Sequence, residues 1–137
     1  MKKEHSGLIY SPSDLVCYLA SPFASWMDRY WLENPGAVAP DPETEDERLI
    51  AETGIEHERA LLGEFESSVP GLVRIPTSDP GGAQAMTLSA MNSKAPIIYQ
   101  AALKCGQFAG FAGFLALDKS GRYQVWDTKL VRSPKPY

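Results

Sequence analysis

Asp127 and Lys129 stand two residues apart in Tyr123-Gln-Val-Trp-Asp-Thr-Lys-Leu-Val131, a strand-like run. Side chains along a strand alternate with a period of two, so this spacing puts a carboxylate and an ammonium on one face. The carboxylate could hold a divalent cation. The lysine could orient a water and offset charge developing on a phosphate. The triplet alone is weak: with 17 acids in 137 residues, about one acid-x-Lys is expected by chance. On spacing alone, an exposed same-face ion pair of little energetic worth is the simpler account.

Three other segments carry residues that could join this pair. His57-Glu58 lies in a long helical run, three residues after Gly54. A glycine costs a helix about 1 kcal/mol relative to alanine, which points to close approach of a neighbour there. The apolar stripe of this helix reads Ile50, Gly54 or Thr53, His57, Leu61 and Phe65. That phase turns His57 toward the sheet and sets Glu58 about 100° round the helix. Either could be a metal ligand. The competing readings are a core histidine with a satisfied hydrogen bond and one more solvated acid. Tyr99-Gln100 falls in an apolar strand, where Gln100 either supports a site or is a buried amide bonded to backbone. Gly110-Phe-Ala-Gly113 falls in the strand just before the motif strand.

The elements that must position these residues are readable from caps and periodicity. Ser11-Pro-Ser-Asp14 starts a helix, and Ser21-Pro22 starts another. The second carries Phe23, Trp26, Met27, Tyr30 and Trp31 at helical spacing, an aromatic stripe expected to pack in the core. Asn34 to Pro42 reads as a loop. Asp41-Pro42 is expected to open the long third helix, which ends at Val69-Pro70-Gly71. Its acids, from Asp41 to Glu47, complement the helix dipole and are not expected to bind metal. Leu72 to Ile75 is a short strand, Ser78 to Gly82 a turn-rich loop, and Ala83 to Met91 a short helix. Ile97–Leu103, Phe108–Leu117 and Arg122–Val131 form a meander, with Asp118-Lys-Ser-Gly121 as its second turn. The expected architecture is α/β, mainly helical over 1–70 and mainly sheet over 71–137. After the motif strand the sheet looks unfinished, with an exposed edge, as if the domain were cut short.

Composition sets wide bounds. A length of 137 residues suits one domain, and 44% apolar residues suit a packed core. No run reaches the roughly 20 apolar residues of a membrane span, and no signal-peptide core follows the N-terminus. Cys17 and Cys105 have no metal-ligand spacing, so a reducing, cytoplasmic setting without a disulfide framework is expected. The net charge of −4 does not favour nucleic acid. The charge is uneven, however: five acids crowd into Asp41–Glu47, while the last nine residues hold Lys129, Arg132 and Lys135 and no acid.

Six segments in order, Tyr10-Ser-Pro-Ser-Asp-Leu15, Ser21-Pro-Phe23, Gly54-Ile-Glu-His-Glu58, Ile98-Tyr-Gln-Ala101, Phe108-Ala-Gly-Phe-Ala112 and Val125-Trp-Asp-Thr-Lys-Leu130, resemble the RecB-like branch of the PD-(D/E)XK nuclease superfamily. The resemblance implies a restriction-endonuclease-like core with N-terminal helices and a mixed sheet. It implies DNA as substrate, one or two Mg²⁺ or Mn²⁺ ions, and in some settings a helicase partner. Carried over by position, Asp127 is a metal ligand and Lys129 orients the water or stabilises the transition state. His57 or Glu58 is the helix-borne ligand, and Gln100 a supporting residue.

The chain departs from the family pattern in three places. Where the family has a metal-binding Asp in the penultimate strand, this chain has Gly113, which offers no ligand. Asp118, five residues on, is expected in the turn and on the wrong strand face to substitute. A helix with a Gln-x-x-x-Tyr motif, which follows in the relatives, is missing. Ser21 stands where iron–sulfur members place a cysteine, so no cluster is expected. The departures leave open a second function: a non-catalytic nuclease-fold module that binds nucleic acid or a protein.

Overall fold

A computed structural model of the chain describes residues 1–4, 7–37 and 41–128. Its elements are β1 (Lys2–Glu4), β2 (Gly7–Ile9), α1 (Pro12–Ala20), α2 (Pro22–Glu33), α3 (Glu45–Ser68), β3 (Val73–Arg74), α4 (Pro80–Asn92), β4 (Ile97–Cys105), β5 (Phe108–Leu117) and β6 (Tyr123–Trp126). The fold is α/β with a mixed sheet, as expected. Contacts divide it into two compact units. One comprises Met1–Pro42 with Leu103–Gly110; the other comprises Glu43–Ala102 with the chain from Phe111.

In the first unit, β1 and β2 pair antiparallel, with Lys2 opposite Ile9, a hairpin that the alternation of the sequence did not announce. Ser11 and Asp14 form a reciprocal capping box on α1, and the Met1 amino group bonds the same carboxylate. Ser21 both ends α1 and caps α2 by accepting from Ala24 N–H. Prolines occupy the first position of each helix, where a missing N–H costs nothing. Tyr10 reaches the β4–β5 hairpin tip: its N–H donates to Gln107 O (2.8 Å) and its carbonyl accepts from Ala109 N–H (2.9 Å).

The aromatic stripe of α2 does not enter a core, contrary to expectation. Phe23 is 70% exposed and Trp26 54%, and neither α1 nor α2 has a buried residue. The rings cover one another instead, Phe23 on Trp26 and Trp26 on Tyr30. Helical spacing shows which residues share a face, not whether another layer covers it.

The second unit holds the four-stranded sheet, in the order β3-β4-β5-β6. β3 and β4 run parallel, joined through α4, whereas β5 and β6 run antiparallel. Ile98, Ala101, Ala112 and Leu115 pack with Ala83 and Ala90 of α4 on one sheet face. Ile97, Tyr99 and Phe114 pack with Leu61, Leu62 and Phe65 of α3 on the other. Small residues on α4 let it lie close, and Thr87 fixes it there. Thr87 is fully buried; its hydroxyl donates to Ala83 O (2.8 Å) and accepts from Ala102 N–H (2.9 Å). Among the described residues, no helix is long and apolar enough to cross a membrane.

Two boundaries differ from the sequence reading. α3 starts at Glu45, capped by Thr44 and Glu47, not at Asp41-Pro42. A Thr-x-x-Glu capping box satisfies two orphan N–H groups, which Asp41-Pro42 cannot match. α4 starts at Pro80 behind an Asp79 cap, so part of the expected Ser78–Gly82 loop is helix.

Candidate functional site

Glu58 is the acid that α3 turns toward the sheet. The inward stripe runs Gly54, Glu58, Leu61, Leu62 and Phe65, each buried or half-buried, while His57 is exposed. The expected phase, with His57 facing the sheet, is therefore corrected by one residue. A neutral imidazole counts as apolar in a periodicity reading, whereas an inward glutamate is tolerated only where partners meet it.

Those partners come from β4. Gln100 Nε2 donates to Glu58 Oε1 at 2.6 Å, a short bond to a charged acceptor. The Tyr99 phenol is pushed up from its ordinary pKa by burial first, and then by the Glu58 carboxylate beside it. Gln100 thus supports Glu58 and is not an amide tied to backbone. Consecutive strand residues should point to opposite faces, so the presence of both Tyr99 and Gln100 beside Glu58 needs an explanation. Gln100 supplies it: its φ is 54°, a left-handed conformation in mid-strand. The alternation breaks there, so that Ile98 and Ala101, three apart, both face the α4 cluster. Such a break re-aims a side chain at the cost of local strain.

Gly113 lies opposite Glu58. A Cβ built on it would sit 3.7 Å from Glu58 Oε2 and 3.7 Å from the Trp126 carbonyl oxygen, both ordinary van der Waals distances. Gly113 also lies outside the positive-φ region that favours glycine. Neither space nor backbone demands glycine at this position. By contrast, a Cβ on Gly110 would come within 2.8 Å of Pro12 Cδ, so the first glycine of the Gly-Phe-Ala-Gly segment is sterically required.

The motif strand is shorter than expected. β6 ends at Trp126, paired with Phe114, and Asp127 follows it, exposed. Asp127 thus stands one residue past the last ladder pair, next to Trp126, whose carbonyl oxygen lies 3.7 Å from a Cβ built on Gly113. Lys129, the other half of the expected same-face pair, lies outside the described residues. Asp118 is used up in its turn: it accepts from Ser120 N–H (2.8 Å), Ser120 Oγ (2.6 Å) and Arg122 N–H (2.9 Å), which hold its carboxyl below the usual range. Cys17 and Cys105 are free thiols.

No protein-family model, curated protein or solved structure matches this chain.

Chemically, α3, β4 and β5 bring together a half-buried carboxylate, its amide and phenol partners, and an empty side-chain position. A hard divalent cation needs several oxygen ligands, usually including more than one carboxylate. Among the described residues, no group of three or more His, Cys, Asp or Glu is placed to hold a metal. The described residues thus fall short of the ligand set that such an ion usually takes. Glu58, Gln100 and Gly113 are legible in the sequence, whereas the left-handed backbone of Gln100 is not. A glutamine mid-strand carries no signal for it, since glycine or asparagine is the usual occupant.

Proposed function

We propose that this chain is a nuclease-fold domain of the RecB-like PD-(D/E)XK type, directed at DNA phosphodiesters, with a metal centre left one carboxylate short by Gly113. The observation that carries this reading is the open Cβ position of Gly113, 3.7 Å from Glu58 Oε2, at the strand position where the family has its aspartate. An aspartate there would add the missing charged oxygens next to Glu58 without displacing backbone. Asp127 would complete the set from the end of β6. Glu58, not His57, is the helix-borne member. Lys129 keeps its role toward water or the phosphate within this reading. DNA as substrate, a helicase or other nucleic-acid-processing partner and a cytoplasmic setting belong to it too.

The test is Mn²⁺ calorimetry on the native chain and its Gly113→Asp variant, followed by cleavage of labelled DNA. Binding by the variant alone, lost again on Glu58→Ala but kept on His57→Ala, is expected. If neither chain binds while both melt cooperatively, the metal-centre reading fails. A second reading, a non-catalytic module that binds nucleic acid or a protein partner, is favoured by the lack of a three-ligand group among the described residues. DNA binding that is salt-sensitive, yet indifferent to metal and to loss of Lys129, would select it.

A further inference from the structure

Beside the Glu58–Gln100 pair, β3 and β4 part company. Their parallel ladder runs through Val73↔Ile98 and Arg74↔Tyr99 and ends with Ile75 N–H donating to Tyr99 O (3.0 Å). Beyond it, Pro76 has no N–H to offer, and Gln100 takes its left-handed turn. The result is an open cleft of about 510 Å³ lined by Arg74, Ile75, Pro76, Thr77, Tyr99 and Gln100. The cleft lies just past the carboxyl end of β3, alongside the first half of β4.

We propose that this cleft is a subsite for a phosphodiester group, bound through the Arg74 guanidinium at its rim. The lining offers a guanidinium and a threonine hydroxyl over Ile75 and Pro76, while the Gln100 amide and the Tyr99 phenol are engaged by Glu58. A guanidinium has five N–H donors and no acceptor, in a planar fork that fits two oxygens of one anion. Arg74 now lies 3.3 Å from Glu66, with both side chains largely exposed. An exposed pair of this kind contributes little and is readily exchanged for a ligand oxyanion. Glu58, behind Tyr99 and Gln100, disfavours a dianion, so a singly charged diester suits the cleft better than a phosphate monoester. The choice of phosphodiester over carboxylate rests on the nuclease-fold reading; the Arg74 cleft itself does not.

The experiment is a metal-free amide-shift titration of the 137-residue chain with the dinucleotide TpT, with acetate and inorganic phosphate as comparators. TpT should shift the amides of Arg74, Ile75, Thr77, Tyr99 and Gln100, and bind more tightly than either comparator. Arg74→Ala should weaken binding about tenfold, in line with loss of a charged hydrogen-bond donor, with Arg74→Lys in between. Glu66→Ala, which releases Arg74, should tighten it about twofold. The proposal is overturned if these amides do not move at millimolar TpT, if Arg74→Ala binds as the native chain does, or if Glu66→Ala leaves affinity unchanged. Arg74 is exposed, so its variants should fold normally, and an unchanged melt verifies this. No metal enters the assay. Failure here with Mn²⁺ binding by Gly113→Asp would remove only the subsite. Arg74-dependent TpT binding without Mn²⁺ binding would remove only the metal centre.

Discussion

The left-handed backbone at Gln100 makes a prediction whose sign is unusual. In an ordinary strand interior, glycine is less stable than alanine by about 0.5–1 kcal/mol, because it loses more freedom on folding. At Gln100, with φ at 54°, the order should reverse. A Cβ in this conformation costs about 1–2 kcal/mol, and glycine avoids that cost. Both Gln100→Gly and Gln100→Ala lose the 2.6 Å bond to Glu58, so that loss cancels between them. Each should fall below the native chain, the alanine variant by about 1.5–3 kcal/mol for the charged hydrogen bond. The glycine variant should then exceed the alanine variant by about 1 kcal/mol, or roughly 3–6 °C in Tm. Urea unfolding followed by circular dichroism would measure this as a higher midpoint at an unchanged slope. An alanine variant as stable as the glycine variant would refute the strain at Gln100, and with it the account of how two consecutive residues come to face Glu58.

Other perturbations follow from the same geometry. Thr87→Val keeps the shape of the side chain but strands the buried Ala102 N–H, and should cost about 1–3 kcal/mol, while Thr87→Ser should cost less; thermal melts compare them. Lys94, just past α4, has φ 56°, so Lys94→Gly should raise stability by about 0.5–1 kcal/mol in the same unfolding assay. Acid should destabilise the chain through Asp14, Glu47 and Asp118. Burial pushes the Asp14 carboxyl up, but the Met1 amino group and Ser11 more than offset it. Thr44 and Ser120 are the chief donors that lower Glu47 and Asp118. With folded values below the unfolded ones, their contribution is complete above about pH 4 and is lost as pH falls through the folded values. Replacing all three with their amides should flatten the fall in Tm below pH 4; an unchanged fall would show that other groups govern it.

Caps, prolines and alternation carried much of the architecture. The two Ser-Pro starts, the long third helix and the β4–β5–β6 meander all appear near where local chemistry puts them. What escaped reading depends on partners distant in sequence. The phase of α3 was off by one residue because the feature that tolerates an inward Glu58, the Gln100 amide, lies 42 residues away. The α2 aromatics look like core residues in any window, yet Phe23, Trp26 and Trp31 are exposed. Gly113 was visible as a departure from a pattern. Only its surroundings show that a side chain would fit there, whereas at Gly110 it would not.

The Tyr10 pairing with the β4–β5 hairpin tip bears on how the chain is made. The unit that begins at Met1 takes in Leu103–Gly110, a segment synthesised about sixty residues after its first stretch ends. On a ribosome, β1, β2, α1 and α2 emerge early and wait, with Tyr10 N–H and C=O turned to water, until Gln107 and Ala109 arrive. A fragment ending before the hairpin would stay in that waiting state, and an expression trial that splits the chain near Pro42 would be dividing a unit, not separating two.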